Sequence, residues 1–337
     1  MSFPPTKYMG SKQAILPFIL ESLTDIPFDS VLDAFSGSAC VAYAFKHLGK
    51  RVVANDFLRF AYHMAKATVE NNGTRLDARD LRALTRRSKN APTLIRETFQ
   101  GLYFNEVDCE FLDNLWFNLS QLSSPLKRSI ALAAASRACM KKRPRGLFTF
   151  VGRKGWDGRR DLKLSMQQQF IEAVAQLNES VFTNRRRNRA VCRDAFSLPG
   201  NGVDLVYIDT PYISPYSDCD YTRRYHFVEG FCTYWEGVEI QHHTKTKKIR
   251  SRATPFCSPR TASDAFRRLF AHFRRPILAV SYSSNGVPGK EEMVALLGEV
   301  KGRVRVHEIP HRYSVANHGH KVDDNNNRVK EYLFVAS

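Results

Sequence analysis

One stretch constrains the fold more than any other: Val203-Asp204-Leu205-Val206-Tyr207-Ile208-Asp209-Thr210-Pro211-Tyr212. The four residues after Asp204 are apolar or aromatic with strong β preference, which is how a buried strand reads. Pro211 cannot donate to a sheet ladder, so the strand stops and the chain turns there. The turn leaves Asp209 and Tyr212 at the carboxyl end of the strand, the edge at which open α/β sheets bind ligands. A carboxylate in that place can accept a hydrogen bond from an exocyclic amino group. The adjacent main-chain carbonyl can accept a second, and a tyrosine can stack on the base that carries the amine. The same four residues also suit a plain proline turn with Tyr212 filling a gap, so the decision falls to the rest of the chain.

A second segment carries its own architecture. Ser30 to Asp33 reads as a short strand entering the small-residue turn Ala34-Phe35-Ser36-Gly37-Ser38-Ala39, and Val41 to Leu48 reads as a helix stopped by Gly49. Arg51 to Ala54 is a further strand, ending on Asn55-Asp56. This is a βαβ unit with a tight glycine turn and an acidic residue closing its second strand. The turn lets a ligand approach the backbone, and Asp56 can accept ribose hydroxyls. Gly37 is followed by Ser38-Ala39 rather than the G-x-G-x-x-G pattern, which favours a nucleoside ligand without phosphates over a dinucleotide. Taken singly, Asp33 also suits a turn cap and Asp56 a helix N-cap. Upstream, Lys7-Tyr8-Met9-Gly10-Ser11-Lys12 is a loop entering an apolar helical run from Ala14 to Leu20.

Charge narrows the partner. The 337 residues hold 51 Lys and Arg against 33 Asp and Glu, a net charge of +18 that points to a polyanion. No run of about 18 apolar residues is present, and Met1 leads into Pro4, Pro5 and Lys7 rather than the apolar core of a secretion signal. The seven cysteines are scattered with no CxxC pair, which reads as reduced thiols without structural zinc. From about residue 72 the chain turns helical and basic. It reaches Lys141-Lys142-Arg143-Pro144-Arg145 and continues to Arg160 through Phe148, Phe150, Arg153, Lys154, Trp156 and Arg159. Interleaved cations, glycines and aromatics are what a loop touching phosphates and base edges requires; a solvated basic loop has the same composition. Residues 183–189 (TNRRRNR) form a second basic cluster.

The sheet resumes with Ala190-Val191-Cys192, ending on Arg193-Asp194-Ala195-Phe196, and then with the Asp209 strand. A helix over 262–273 leads to a strand at 276–282, and two strands at 303–309 and 329–335 close the chain. The loop between those last strands, with Tyr313, His318, His320 and Asn325 to Asn327, is expected outside the core.

In this order the pieces resemble the Dam-like α-class adenine-specific DNA methyltransferases. KYMGSK is similar to the family's amino-terminal lysine-glycine motif and LDAFSGS to its first cofactor motif. Asn55-Asp56, Asp194-Ala195-Phe196 and Asp209-Thr210-Pro211-Tyr212 follow in the family's sequence. The resemblance covers residues 7–56 and 190–235, and extends to 72–185 in position only. Thr210 stands where the family usually has a first proline, and Ala39 where a glycine is common.

The resemblance implies an α/β fold: a Rossmann-like, mostly parallel seven-stranded methyltransferase sheet with an inserted, mainly helical target-recognition domain. Residues 1–71 and 186–337 would form the catalytic domain, and 72–185 the DNA-binding one. It implies S-adenosyl-L-methionine as cofactor, held by Tyr8, Lys12, Asp33, Phe35, Gly37, Asp56, Asp194 and Phe196. Lys12, Asp33 and Phe35 would lie at the methionine end, Asp56 at the ribose, and Asp194 with Phe196 at the adenine. The target adenine, flipped out of double-stranded DNA, would meet Asp209, the Thr210 carbonyl, Pro211 and Tyr212. Arg143, Arg145, Arg153, Lys154, Arg159 and Arg160 are the expected DNA contacts. No metal and no membrane are implied. The expected form is a cytoplasmic, nucleoid-associated monomer or homodimer, with a cognate restriction endonuclease where the enzyme serves a restriction–modification system. Two rivals share the same residues: an adenine methyltransferase acting on RNA, and a non-catalytic DNA-binding protein that keeps the fold.

Overall fold

A computed structural model describes residues 3–152, 158–213, 219–312 and 328–337. Its centre is a seven-stranded sheet in the order β3-β2-β1-β4-β5-β7-β6. The strands are β1 (Ser30–Asp33), β2 (Arg51–Asn55), β3 (Arg189–Val191), β4 (Leu205–Ile208), β5 (Ile277–Ser283), β6 (Val304–Arg312) and β7 (Arg328–Ala336). Strands β1 to β5 pair in parallel, and β7 runs antiparallel between β5 and β6. The strand order reverses between β1 and β4, which places a crevice outside their carboxyl ends. Asp33 is in register with Tyr207, so the two strands deliver Asp33 and Asp209 to the same edge.

Both faces of the sheet are covered, so β1 and β4 are buried along their whole length rather than alternating. Val31, Val206 and Ile208 are wholly buried. At the opposite edge a single carboxylate ties β1 to β4: Asp204 Oδ2 accepts hydrogen bonds from the Asp29 and Ser30 amides and from Ser30 Oγ, at 3.0, 2.8 and 2.8 Å.

Three helices precede the insert: α1 (Leu16–Glu21), α2 (Cys40–His47) and α3 (Arg59–Ala65). Within it lie α4 (Ala78–Leu84), α5 (Leu94–Phe99), α6 (Glu106–Leu119), α7 (Pro125–Lys141), α8 (Arg160–Lys163) and α9 (Met166–Glu179). After it come α10 (Tyr221–Phe231), α11 (Ala262–His272) and α12 (Lys290–Gly298). Local chemistry explains their starts. Asp77 with Asp80 and Ser165 with Gln168 form reciprocal capping boxes on α4 and α9. Ser124 caps α7, whose first position is Pro125.

Residues 72–185 supply α4 to α9, as their helical periodicity predicts, yet they do not stand apart from the sheet. Helix α7 packs on α9 and on α3. Phe227 of α10 stacks on Phe148 and meets Phe99, Tyr103 and Phe104 edge-on. One apolar core thus runs from the sheet into the insert. A second, around Phe256, Phe266 and Phe270, fills the other face under α11 and α12. No helix among the described residues is long and apolar enough to cross a membrane.

Candidate active site

The carboxyl edge gathers residues from five separate stretches of sequence. Asp209 leaves β4 with its side chain 18% exposed and receives the ammonium of Lys12, Nζ to Oδ1 at 2.8 Å. The same ammonium donates to the Gly10 carbonyl at 3.3 Å. Lys12 is itself buried. Burial pushes the Asp209 carboxyl up to about 6, even though Lys12 pulls it down. Thr210 is buried beyond it, and Tyr212 packs on Tyr282 with ring centroids 5.1 Å apart. Thus the motif residues Asp209 to Tyr212 form one continuous wall of the edge.

The glycine turn lies alongside. Gly37 has φ +48°, and a Cβ added there would sit 2.8 Å from Tyr8 Cε1. Glycine is required both by the backbone and by the ring pressed against it. The Tyr8 ring is stacked on Tyr225 with an interplanar angle of 4°. Asp56 Oδ2 accepts from the Gly37 amide at 2.8 Å, and Oδ1 from the Leu58 amide at 2.9 Å. The capping role and a place on the turn therefore coexist in Asp56. Burial holds its carboxyl up at about 6. The Asp33 carboxyl is raised further, first by burial and then by Asp209 and Asp56. Its Oδ1 is buried without a hydrogen-bond partner among the described residues.

Beyond the turn opens a cavity of about 440 Å³, lined by Phe35, Asn55, Asp194, Phe196, Pro211 and Phe256 among others. Asp194 Oδ1 accepts from the Phe196 amide at 2.9 Å and fixes the short turn that carries that ring. Phe196 lies parallel to Phe256 at 6.1 Å, and Phe35 meets Phe256 edge-on at 5.8 Å. Pro211 joins this cavity to the Asp209 wall.

These features fit a cationic nucleoside. The raised carboxylates of Asp33 and Asp56 favour an added positive charge, since it would let them ionise. Asp33 Oδ1 has a free acceptor position, the Gly37 turn admits close approach, and flat aromatic walls suit a base. The residues present therefore suit S-adenosylmethionine.

A comparison with protein families decides the class. Residues 8–281 match the D12 class of N6 adenine-specific DNA methyltransferases. The chain belongs to that family. This adenine methyltransferase is also 25% identical to the type II methyltransferase M2.HphI of Haemophilus parahaemolyticus, over 99% of its own length and 97% of that protein's. It is 27% identical to the modification methylase StsI of Streptococcus sanguinis and 25% identical to the type II methyltransferase M.FokI of Planomicrobium okeanokoites. In both cases 97% of the methyltransferase aligns, spanning about half of the relative: 51% of StsI and 52% of M.FokI.

Two sequence expectations change. Arg143, expected to touch DNA, is fully buried: its guanidinium donates to the Phe150 carbonyl at 2.6 Å and to the Gly152 carbonyl at 3.3 Å, and packs over the rings of Tyr103 and Phe150. Phe148 is buried as well. A buried guanidinium that organises its own loop is not displayed to a duplex. Second, the thiols are not all free, since Cys219 and Cys257 form a disulfide with Cα atoms 5.8 Å apart. They are 38 residues apart, and only the fold brings them together. Lys12, expected among the cofactor residues, also reaches the Asp209 carboxylate, a partner no motif names. Arg145 and Arg159 remain near the loop's surface, and Arg160 is exposed and paired with Glu172 at 3.0 Å. Arg153, Lys154, Trp156, Tyr216 and the 313–327 loop lie outside the described residues. The structure adds Phe256 and the arginines 59, 193 and 252 to the cavity, none of which belongs to a motif legible in the sequence.

Proposed function

We propose that this methyltransferase transfers a methyl group from S-adenosyl-L-methionine to the exocyclic amine of an adenine flipped out of double-stranded DNA. The carrying observation is the partly accessible Asp209 carboxylate at the β4 end, joined through Pro211 to a cavity suited to a nucleoside. The bound cofactor supplies an electrophilic methyl group on a sulfonium. The chain's own residues do the positioning. Asp209 accepts one N–H of the amine and the Thr210 carbonyl the other, which directs the nitrogen lone pair away from both acceptors. Pro211 holds the turn, and Tyr212 offers its ring to the base. Asp33, Asp56, Asp194, Phe35, Phe196 and Tyr8 against Gly37 hold the donor. Orientation and fixed charge account for the acceleration, because an amine held in line needs no further solvent reorganisation. The carboxylates favour the cationic donor, and a deep site requires the base to leave the stack.

Residues 72–185 are inferred to form the target-recognition region, with Arg145, Arg153, Lys154, Arg159 and Arg160 toward DNA. A cytoplasmic setting follows from DNA as substrate, and the names of StsI and M.FokI support a modification role beside an endonuclease. The test is Asp209→Ala. It should bind S-adenosylmethionine and duplex DNA nearly as wild type does, and lose most methyl transfer to DNA. Turnover near the wild-type rate at saturating DNA would remove Asp209 as the amine acceptor. Transfer to a matched RNA duplex but not to DNA would overturn the assigned substrate.

A further inference from the structure

The rim of the cofactor cavity carries a charge that the cofactor does not explain. Arg59 opens α3, Arg193 follows β3, and Arg252 lies on the segment leading to Phe256; all three line the cavity and are exposed. They come from three separate parts of the chain, so their convergence is a product of the fold. Among the described residues no hydrogen bond or ion pair engages any of the three guanidiniums. Two carboxylates lie close by. Asp194 shares the rim and is turned to the Phe196 amide, and Glu229, buried beneath, accepts from the Phe60 amide at 3.3 Å.

S-adenosylmethionine is a net cation, with sulfonium and ammonium against one carboxylate. Three guanidiniums around its cavity oppose that charge rather than complement it. The carboxylates that favour the cofactor, Asp33 and Asp56, are buried on the inner side. The arginines face out. Forked guanidiniums on an exposed rim match phosphate oxygens. A phosphodiester backbone passing over the opening would present such oxygens to all three guanidiniums.

We propose that Arg59, Arg193 and Arg252 bind backbone phosphates of the substrate duplex across the mouth of the cofactor cavity, so that bound DNA closes the cavity over the cofactor. This rests on the function proposed above and adds to it a DNA contact outside the 141–160 loop, together with a coupling between the two ligands. By linkage, a duplex that retains cofactor must itself be bound more tightly when cofactor is present.

The experiment uses the full chain and its Arg59→Gln, Arg193→Gln and Arg252→Gln variants, with the matching lysine variants, all checked for a wild-type melting curve. Each glutamine variant should weaken cognate and random duplexes alike and reduce the salt slope by about 0.9 per lost phosphate contact. Lysine should restore most of that slope. S-adenosylhomocysteine affinity without DNA should not change, whereas its dissociation, slowed by duplex in wild type, should speed up again in the glutamine variants. Unchanged duplex affinity and slope in all three would overturn the site. So would weakened S-adenosylhomocysteine binding without DNA at constant duplex affinity, since the arginines would then serve the cofactor carboxylate. Tighter binding of inorganic phosphate or AMP than of duplex would overturn it in favour of a free anion site. These outcomes are separable from failure of the functional reading. A wild-type chain that methylates duplex DNA while the arginine variants bind it normally removes only the rim site; a wild type that neither binds nor methylates duplex removes both.

Discussion

Lys12 Nζ stands 2.8 Å from Asp209 Oδ1, on the carboxylate proposed to accept the adenine amine. Its charge pulls that carboxyl down against the upward push of burial. Removing it leaves burial unopposed, so the Asp209 carboxyl should rise above about 6. Lys12→Gln should shift the acid limb of the kcat/KM profile for DNA upward by about one pH unit or more, with DNA-independent cofactor binding largely retained. An unmoved acid limb would show that Asp209 does not govern it.

Cofactor binding should release protons. The Asp56 carboxyl is held up at about 6, and that of Asp33 is raised as well. A bound cation favours their ionised forms, so affinity should fall as pH drops through 6. Calorimetry at pH 6 in buffers of different ionisation enthalpy should report proton release on binding S-adenosylmethionine. Asp56→Asn should reduce that release.

His226 should make stability, too, fall as pH drops. It is fully buried, with Nε2 2.9 Å from the Tyr103 hydroxyl and 3.1 Å from the Phe148 carbonyl. Burial pushes it down to about 4, against about 6.5 in the unfolded chain. Between those values the unfolded chain binds the extra proton. The contribution is therefore complete above pH 6.5 and is lost as pH falls, at about 1.4 kcal/mol per unit. Urea unfolding from pH 7 to 5 should show a flatter dependence in His226→Gln than in wild type.

Ala39 occupies a left-handed conformation, φ 65° and ψ 13°, at the cap of α2. An L-residue there costs about 1–2 kcal/mol, and glycine gives back roughly 0.4–1 kcal/mol through the freer unfolded chain. Ala39→Gly should therefore leave stability unchanged or raise it by about 1 kcal/mol, measured by denaturant midpoint. The position commonly taken by glycine in the family thus has a backbone reason, which this chain overrides.

Features carried by neighbours in sequence were legible before the fold. The apolar run Leu205–Ile208 ending on Asp209 announces a buried strand and its ligand edge, because an unbroken apolar run, β preference and proline all act within a few residues. The strand–turn–strand from Ser30 to Asp56 is legible for the same reason, and so is the terminal hairpin. The tertiary structure decided everything that depends on distant parts meeting. Whether Arg143 serves DNA or its own loop, whether Cys219 finds Cys257, which carboxylate Lys12 neutralises, and where Arg59, Arg193 and Arg252 converge are all set by packing. Residue type supplies the charge or thiol, but its partner is fixed only when the chain buries its apolar surface. Composition indicates a cation; the path of the chain determines whether that cation is enclosed by carbonyls or exposed at a rim.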